Sequence, residues 1–156
     1  MKATRVTSKD LFKKIIELRK SILHPDGPIE RVQYAADHSE ETVHLAIFDE
    51  NNVILACGTM LMEDESEGSS KSVGRIRGMA VSESSQGKGL GAVILDGLID
   101  EAIERKVQKI WCNARSKILK FYFKRDFESV GDEFITAGGV PHFKLIKSIT
   151  YKDKLR

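Results

Sequence analysis

At 156 residues, with 41% hydrophobic and 31% charged side chains, the chain has the size and balance of one soluble globular domain that buries its core without disulfides or metal. No apolar run approaches the ~18 residues of a membrane span, and the short mixed start Met1–Val6 does not read as a signal peptide, so a cytoplasmic protein is expected. A net charge of +2 gives little reason to expect a nucleic-acid partner. Cys57 and Cys112 lie far apart in strand-like stretches, without metal-ligand spacing, and predict two reduced core thiols.

In chain order, Lys2–Val6 is β-prone. Ser8 is a good N-cap for a helix that carries Leu11, Ile15, Leu18 and Ile22 on one face. Pro25-Asp26-Gly27-Pro28 ends it near His24. No clean period follows from Ile29 to Thr42, although Ile29–Ala36 could hold another short helix, and irregular stretches of that length are often functional. Val43–Phe48 and Val53–Met62 predict a hairpin about the polar turn Asp49-Glu50-Asn51-Asn52. The acidic run from Glu63 to Ser70 is expected to be a solvated loop. Its carboxylates lack the calcium-loop pattern, so no metal is expected.

The most informative stretch runs from Arg77 to Ala92. A strand Ile76–Val81 leads through a polar turn into Gln86-Gly87-Lys88-Gly89-Leu90-Gly91-Ala92, where an apolar helical run begins. Three glycines at a helix start let backbone N–H groups close on an anion, which the helix dipole also attracts. Gly87, Gly89 and Ala92 also spell a dinucleotide fingerprint, but Ser82–Gln86 separate them from the strand, and the next strand ends in Asn113 where a ribose-binding acid is wanted. A P-loop fails for lack of Gly-Lys-Ser/Thr. Ile94, Leu95, Leu98 and Ala102 then recur at helical spacing, and a strand Val107–Asn113 completes a βαβ unit with adjacent parallel strands. Ser116 caps a short helix through Arg125, and Glu128–Thr136 with Pro141–Thr150 predict a closing hairpin.

Gln86-Gly87-Lys88-Gly89-Leu90-Gly91, with a strand before, a helix after, a second strand, and then Phe121-Tyr122 and Phe127, resembles the GCN5-related N-acetyltransferases. The resemblance covers about the second two-thirds of the chain well. It implies a single α/β domain: a mixed, mostly antiparallel sheet with helices on both faces and a central parallel pair that splays apart. In that family the turn amides hold the pyrophosphate of acetyl-coenzyme A, and the pantetheine arm lies along the parted strands. The positions implied for the cofactor are Met79, Ala80, Val81, Gln86 through Ala92 (with Lys88 and Leu90), Asn113, Tyr122 and Lys124.

Acetyl transfer from a thioester to an amine needs a neutral nucleophile, a donor for the oxyanion and a proton for the departing thiolate. A backbone N–H at Met79 or Ala80 serves the oxyanion if the strand is bulged there, as the resemblance implies. Tyr122 stands where the family places its proton-donating tyrosine; the plain alternative is a packing aromatic. The family's usual Gly-Phe is Asp126-Phe127 here, and Asp tolerates the left-handed conformation better than most residues. For the base, His44, His142 and Glu133 are candidates. His142 ranks first because Gly139-Val140-Pro141-His142 resembles the Gly-Ile-Pro-His of one acetyltransferase subgroup, and a relayed water is a further route. Arg77 interrupts an apolar strand and predicts either a buried charge partner or an acidic group on the acceptor. Arg77, His44 and Glu133 are thus the acceptor-binding candidates, in a pocket expected from Ile29–Thr42, Arg77 and Gly138–His142. The expected function is direct acetyl transfer to a primary amine, on a small molecule, with no nucleic-acid or membrane partner and a homodimer left open. A non-catalytic acyl-coenzyme A binding domain is the alternative.

Overall fold

The computed structural model describes residues 1–63 and 72–150; the acidic run from residue 64 to residue 70 lies outside them. The elements are β1 (Thr4–Arg5), α1 (Lys9–Leu23), β2 (Val43–Phe48), β3 (Ile54–Glu63), β4 (Val73–Val81), α2 (Leu90–Glu104), β5 (Lys109–Arg115), α3 (Leu119–Phe123), β6 (Glu128–Ile135) and β7 (Pro141–Ser148). The strands form a seven-stranded mixed sheet in the order β1-β2-β3-β4-β5-β7-β6. The chain divides into two compact units, Met1–Leu61 with Ile76–Glu101, and Met62–Arg75 with Ala102 onward. No helix of the described residues is long and apolar enough to cross a membrane.

In the first unit, β1 and β3 flank β2 in antiparallel ladders. Ser8 caps α1 as expected, its hydroxyl accepting from the Leu11 amide at 3.2 Å. The helix stops at Leu23, and His24 closes it by donating its N–H to the Lys20 carbonyl. Ile15 and Leu18 bury against Val6, Ala46, Cys57 and Ala80, with Leu11, Phe12 and Ile22 around them. Side chains alternate along strands, so Leu45 and Gly58 face the other way. There α2 packs so closely that a Cβ on Gly58 would fall 2.6 Å from Ile94 Cγ2, and one on Gly97 2.8 Å from Leu45 Cδ1. The sheet of this unit therefore carries a helix on each face. Ile94, Leu95, Leu98 and Ala102 are all fully buried, as the helical spacing predicts.

Between Ile29 and Thr42 the only regular element is a single 3-10 turn, Ile29–Val32, shorter than the helix that Ile29–Ala36 could have formed. Its path is set by side-chain bonds instead. Asp49 organises the predicted hairpin turn by accepting from the amides of Asn51 and Val53 at 2.8 and 2.9 Å.

In the second unit, β4 begins at Val73, earlier than the expected Ile76, and Val73–Arg75 pair in parallel with Lys109–Trp111. That three-residue ladder is all the pairing between β4 and β5, although both strands run on beyond it. β5 then pairs antiparallel with β7, and β7 with β6. The helix expected from Ser116 to Arg125 is a 3-10 turn, Ser116–Ile118, followed by the short α3. Asp126 ends it at φ 64°, in the left-handed conformation that a glycine usually supplies. Cys112 and Cys57 are free and buried, matching the expectation of core thiols.

Candidate active site

The glycine turn has the geometry its sequence predicts. Gly87 and Gly89 stand at φ 78° and 83°, and a Cβ on either would meet no atom within 4 Å. The residues are therefore glycine because of the backbone path and the open approach, and packing plays no part. Leu90 starts α2, and its first internal bond runs from the Val93 amide to the Gly89 carbonyl at 3.2 Å, so the N–H groups before Val93 have no acceptor within the helix. Gln86 fastens the turn to the strand before it, its Nε2 donating to the Val81 carbonyl at 3.0 Å. Gln86, Gly87, Lys88 and Gly89 are exposed. Such a cradle suits a phosphate group: open above, lined by amides, and at the positive end of a fifteen-residue helix.

Upstream, β4 departs from regular strand geometry one residue before Met79. Gly78 sits at φ 67° inside the strand, the conformation of the first residue of a glycine bulge. The Cys57 thiol donates to the Gly78 carbonyl at 3.5 Å, and the Ser82 amide donates to the Leu55 carbonyl at 2.9 Å. The Gly78 carbonyl and the Ser82 amide thus point to β3. Alternation then turns the Met79 and Val81 amides to the opposite edge of β4. Of the two amides considered for the oxyanion, that alternation turns Ala80's toward β3 and Met79's away from it.

Behind Gly78 lies a buried polar cluster. Arg19 is completely buried on the apolar face of α1 and holds Asp37 with both ends of its fork, at 2.9 and 3.2 Å. It also donates to the Val32 carbonyl and to Thr59 Oγ1, each at 2.8 Å. Asp37 accepts the Tyr34 amide at 2.8 Å. His44 closes the ring of bonds: Nε2–H donates to the Asp37 carbonyl at 2.8 Å, and Nδ1 accepts from Thr59 Oγ1 at 2.7 Å. With both nitrogens engaged, His44 braces this segment and presents neither to a ligand. Arg77 is half-buried with its guanidinium carbon 3.9 Å from the centroid of the Tyr34 ring.

Burial, followed by the nearby Arg19 charge, pushes the His44 pKa down from its ordinary value, against the pull of the Asp37 carbonyl. A histidine whose folded pKa is depressed contributes stability that is present above its unfolded pKa of ~6.5 and is lost as pH falls through the folded value. The chain should accordingly lose stability between about pH 6.5 and the lowered pKa, and His44→Gln should flatten that limb. Urea titrations at stepped pH check it; an unchanged slope in the variant would remove His44 as the cause.

In the second unit, Tyr122 is buried, with ring edges against Phe121 at 5.0 Å and Phe127 at 5.4 Å. Burial raises the pKa of its hydroxyl well above the ordinary value, and the neighbouring Cys112 adds to the rise. Burial also pushes the Cys112 and Cys57 thiols up to about 12. His142 opens β7, where its Nδ1–H donates to the Val140 carbonyl at 2.8 Å. That bond fixes the tautomer and leaves Nε2 as the acceptor in the neutral ring, which stacks on Phe134 at 6.0 Å. Glu133 is exposed and accepts from Ser116 Oγ at 2.7 Å. Asn113 and Lys124 are exposed, on β5 and just after α3.

Sequence reasoning missed Arg19, Tyr34, Asp37 and Thr59. One signal was available, because Arg19 shares the apolar face of Ile15, Leu18 and Ile22. A charge there predicts a buried partner, but not which one.

The sequence model of the Acetyltransferase (GNAT) family matches residues 11–127. The chain belongs to that family and is an N-acetyltransferase that uses acetyl-coenzyme A. It is 29% identical over 133 residues to an uncharacterised N-acetyltransferase, YitI, of Bacillus subtilis, covering 85% of this chain and 89% of the relative. Among solved structures it is similar to an acyl-CoA N-acyltransferase from Pseudomonas aeruginosa (TM-score 0.79, 16% identity, 94% and 99% of the two chains). It is also similar to an aminoglycoside 6'-N-acetyltransferase complexed with coenzyme A (0.76, 14%, 96% and 98%). A third likeness is to the ribosomal-protein-S18-alanine N-acetyltransferase of Escherichia coli (0.73, 17%, 95% and 93%). At these identities the likeness shows the fold alone, and the named acceptors range from an aminoglycoside to an alanine of a ribosomal protein.

Proposed function

We propose that the chain acts as one cytoplasmic N-acetyltransferase domain that moves the acetyl group directly to a primary amine on a small molecule. The observation that carries this reading is the amide-lined Gly87–Gly89 turn downstream of the left-handed Gly78, both on one continuous stretch of backbone. Acetyl-coenzyme A supplies the acetyl group as a thioester. Gln86 through Ala92 bind its pyrophosphate, with Lys88, Lys124 and Asn113 as further polar contacts, and Val81 offers its amide to the pantetheine arm. The Met79 N–H polarises the thioester carbonyl as charge builds on its oxygen. Neither cysteine is suited to carry an acetyl group, since both thiols are buried and held protonated. Their reduced state also fits the cytoplasm.

Tyr122 is proposed to donate its hydroxyl proton toward the departing sulfur. Tyr122→Phe keeps the ring and its two edge contacts, so turnover should drop about 10²-fold with coenzyme A binding retained. Near-normal turnover in steady-state thiol release would reduce the residue to a packing partner of Phe127. His142 is proposed to take the amine proton at Nε2, the nitrogen that the Val140 bond leaves basic. Glu133 is the less suited base because Ser116 occupies it.

The test of the function as a whole is thiol release from acetyl-coenzyme A over chemically grouped small amines. Turnover with at least one group is the expected result. Release with protein lysines or N-termini and with no small amine would overturn the acceptor class.

A further inference from the structure

The acceptor's chemistry can be narrowed from Tyr34, if the acetyl-transfer reading above holds. Arg77 interrupts β4 directly before Gly78, and the Tyr34 ring is its one partner among the described residues. Arg19 brings a second guanidinium 4.3 Å from the centroid of the same ring. Among the described residues Asp37 is the one carboxylate bonded to this group, and both its oxygens are held by Arg19. Two positive charges therefore face one ring with one negative charge between them. A half-buried guanidinium without a counter-ion is costly, and its planar fork is the shape that takes a carboxylate in two parallel bonds.

Position strengthens the charge argument. A Cβ on Gly78 would lie 3.3 Å from Tyr34 Cε2 and 2.7 Å from Arg19 Nε. The Arg77–Tyr34 stack thus sits against the residue whose peptide leads into Met79, the amide assigned to the thioester carbonyl. A carboxylate seated on Arg77 would tether its own amine beside that amide. Cation–π contact fixes where the guanidinium lies, and the Arg19–Asp37 pair in turn fixes Tyr34 through its amide. We propose that Tyr34 is a positioning residue that sets acceptor specificity, holding Arg77 to receive a carboxylate, so that the preferred acceptors are primary amines that also carry one.

The experiment uses α-amino acids, each paired with the primary amine that its decarboxylation leaves, compared at equal concentrations of neutral amine. For the parent chain, kcat/KM should favour the carboxylate-bearing member of an accepted pair by about 10-fold or more, mostly through KM. Arg77→Gln and Tyr34→Leu should each bring that ratio near unity, whereas Tyr34→Phe, which keeps the ring, should preserve it. Equal use of both members by the parent overturns the proposal and leaves small-amine transfer standing. A ratio lost in Arg77→Gln but kept in Tyr34→Leu overturns the role of Tyr34. If Tyr34→Leu does not fold, Arg77→Gln still decides whether the carboxylate is read. No thiol release from any pair, with coenzyme A still bound, sinks the small-amine reading and this proposal with it.

Discussion

Gly89→Val should abolish measurable coenzyme A binding while leaving the chain folded. At φ 83° a β-branched side chain is strained, and the helix start must shift to relieve it. The space around the position is empty of protein atoms, so no steric clash adds to that strain. The stability cost should be about 1–3 kcal/mol, or a fall of roughly 2–12 °C in melting temperature for a chain of this size. The binding cost is larger in consequence, because the new methyl groups occupy the approach that a phosphate needs to reach the amides of Leu90 to Ala92. An affinity loss of at least about 10²-fold is expected by calorimetry. Gly91→Val is the internal control: Gly91 lies within α2, so it should lose affinity with less strain than Gly89→Val. Parent-like affinity in folded Gly89→Val protein would mean that the pyrophosphate is held elsewhere.

Asp37→Ala should be the most destabilising single change in the first unit. It leaves the Arg19 guanidinium at 0% exposure with its carboxylate gone, and breaking a buried pair from one side costs about 3–5 kcal/mol. It also frees the Tyr34 amide and removes the brace on the stretch between Ile29 and Thr42. Hydrogen exchange at that amide should therefore accelerate more than the global loss explains. Removing both charges, as Arg19→Met with Asp37→Leu, should cost less than the sum of the single changes, since neither partner is stranded. A single Asp37→Ala variant with parent stability in denaturant titration would show that water reaches and solvates Arg19.

Much of this molecule was readable from residue order because the controlling interactions are local. Ser8 caps the helix that follows it, Asp49 bonds the amides of Asn51 and Val53 in its own turn, and Gly87 and Gly89 stand where the path needs positive φ. The apolar spacing of Ile94, Leu95, Leu98 and Ala102 selects the buried face of α2 for the same reason: a helix fixes which side chains share a side. Asp126 shows the local rule surviving an altered residue, since it takes the left-handed helix end without being glycine.

What only the tertiary structure decided depends on contacts between distant residues. Val73–Arg75 joined β4 because partners were available in β5, which no periodicity within residues 72–76 could reveal. The segment after Pro28 formed one short 3-10 turn, since its course is set by Arg19, Thr59 and His44 from three other elements. His44 illustrates the limit most directly. Its residue type suits a base, its place at the head of β2 suits a pocket, and both ring nitrogens turn out to be bonded within the protein. Arg77 shows the converse: the sequence posed a choice between a protein partner and an acidic acceptor, and the fold supplied an aromatic ring and, among the described residues, no carboxylate. Charge pairing and ring stacking act through space between residues far apart in the chain, so they appear only once the strands and α1 have brought them together.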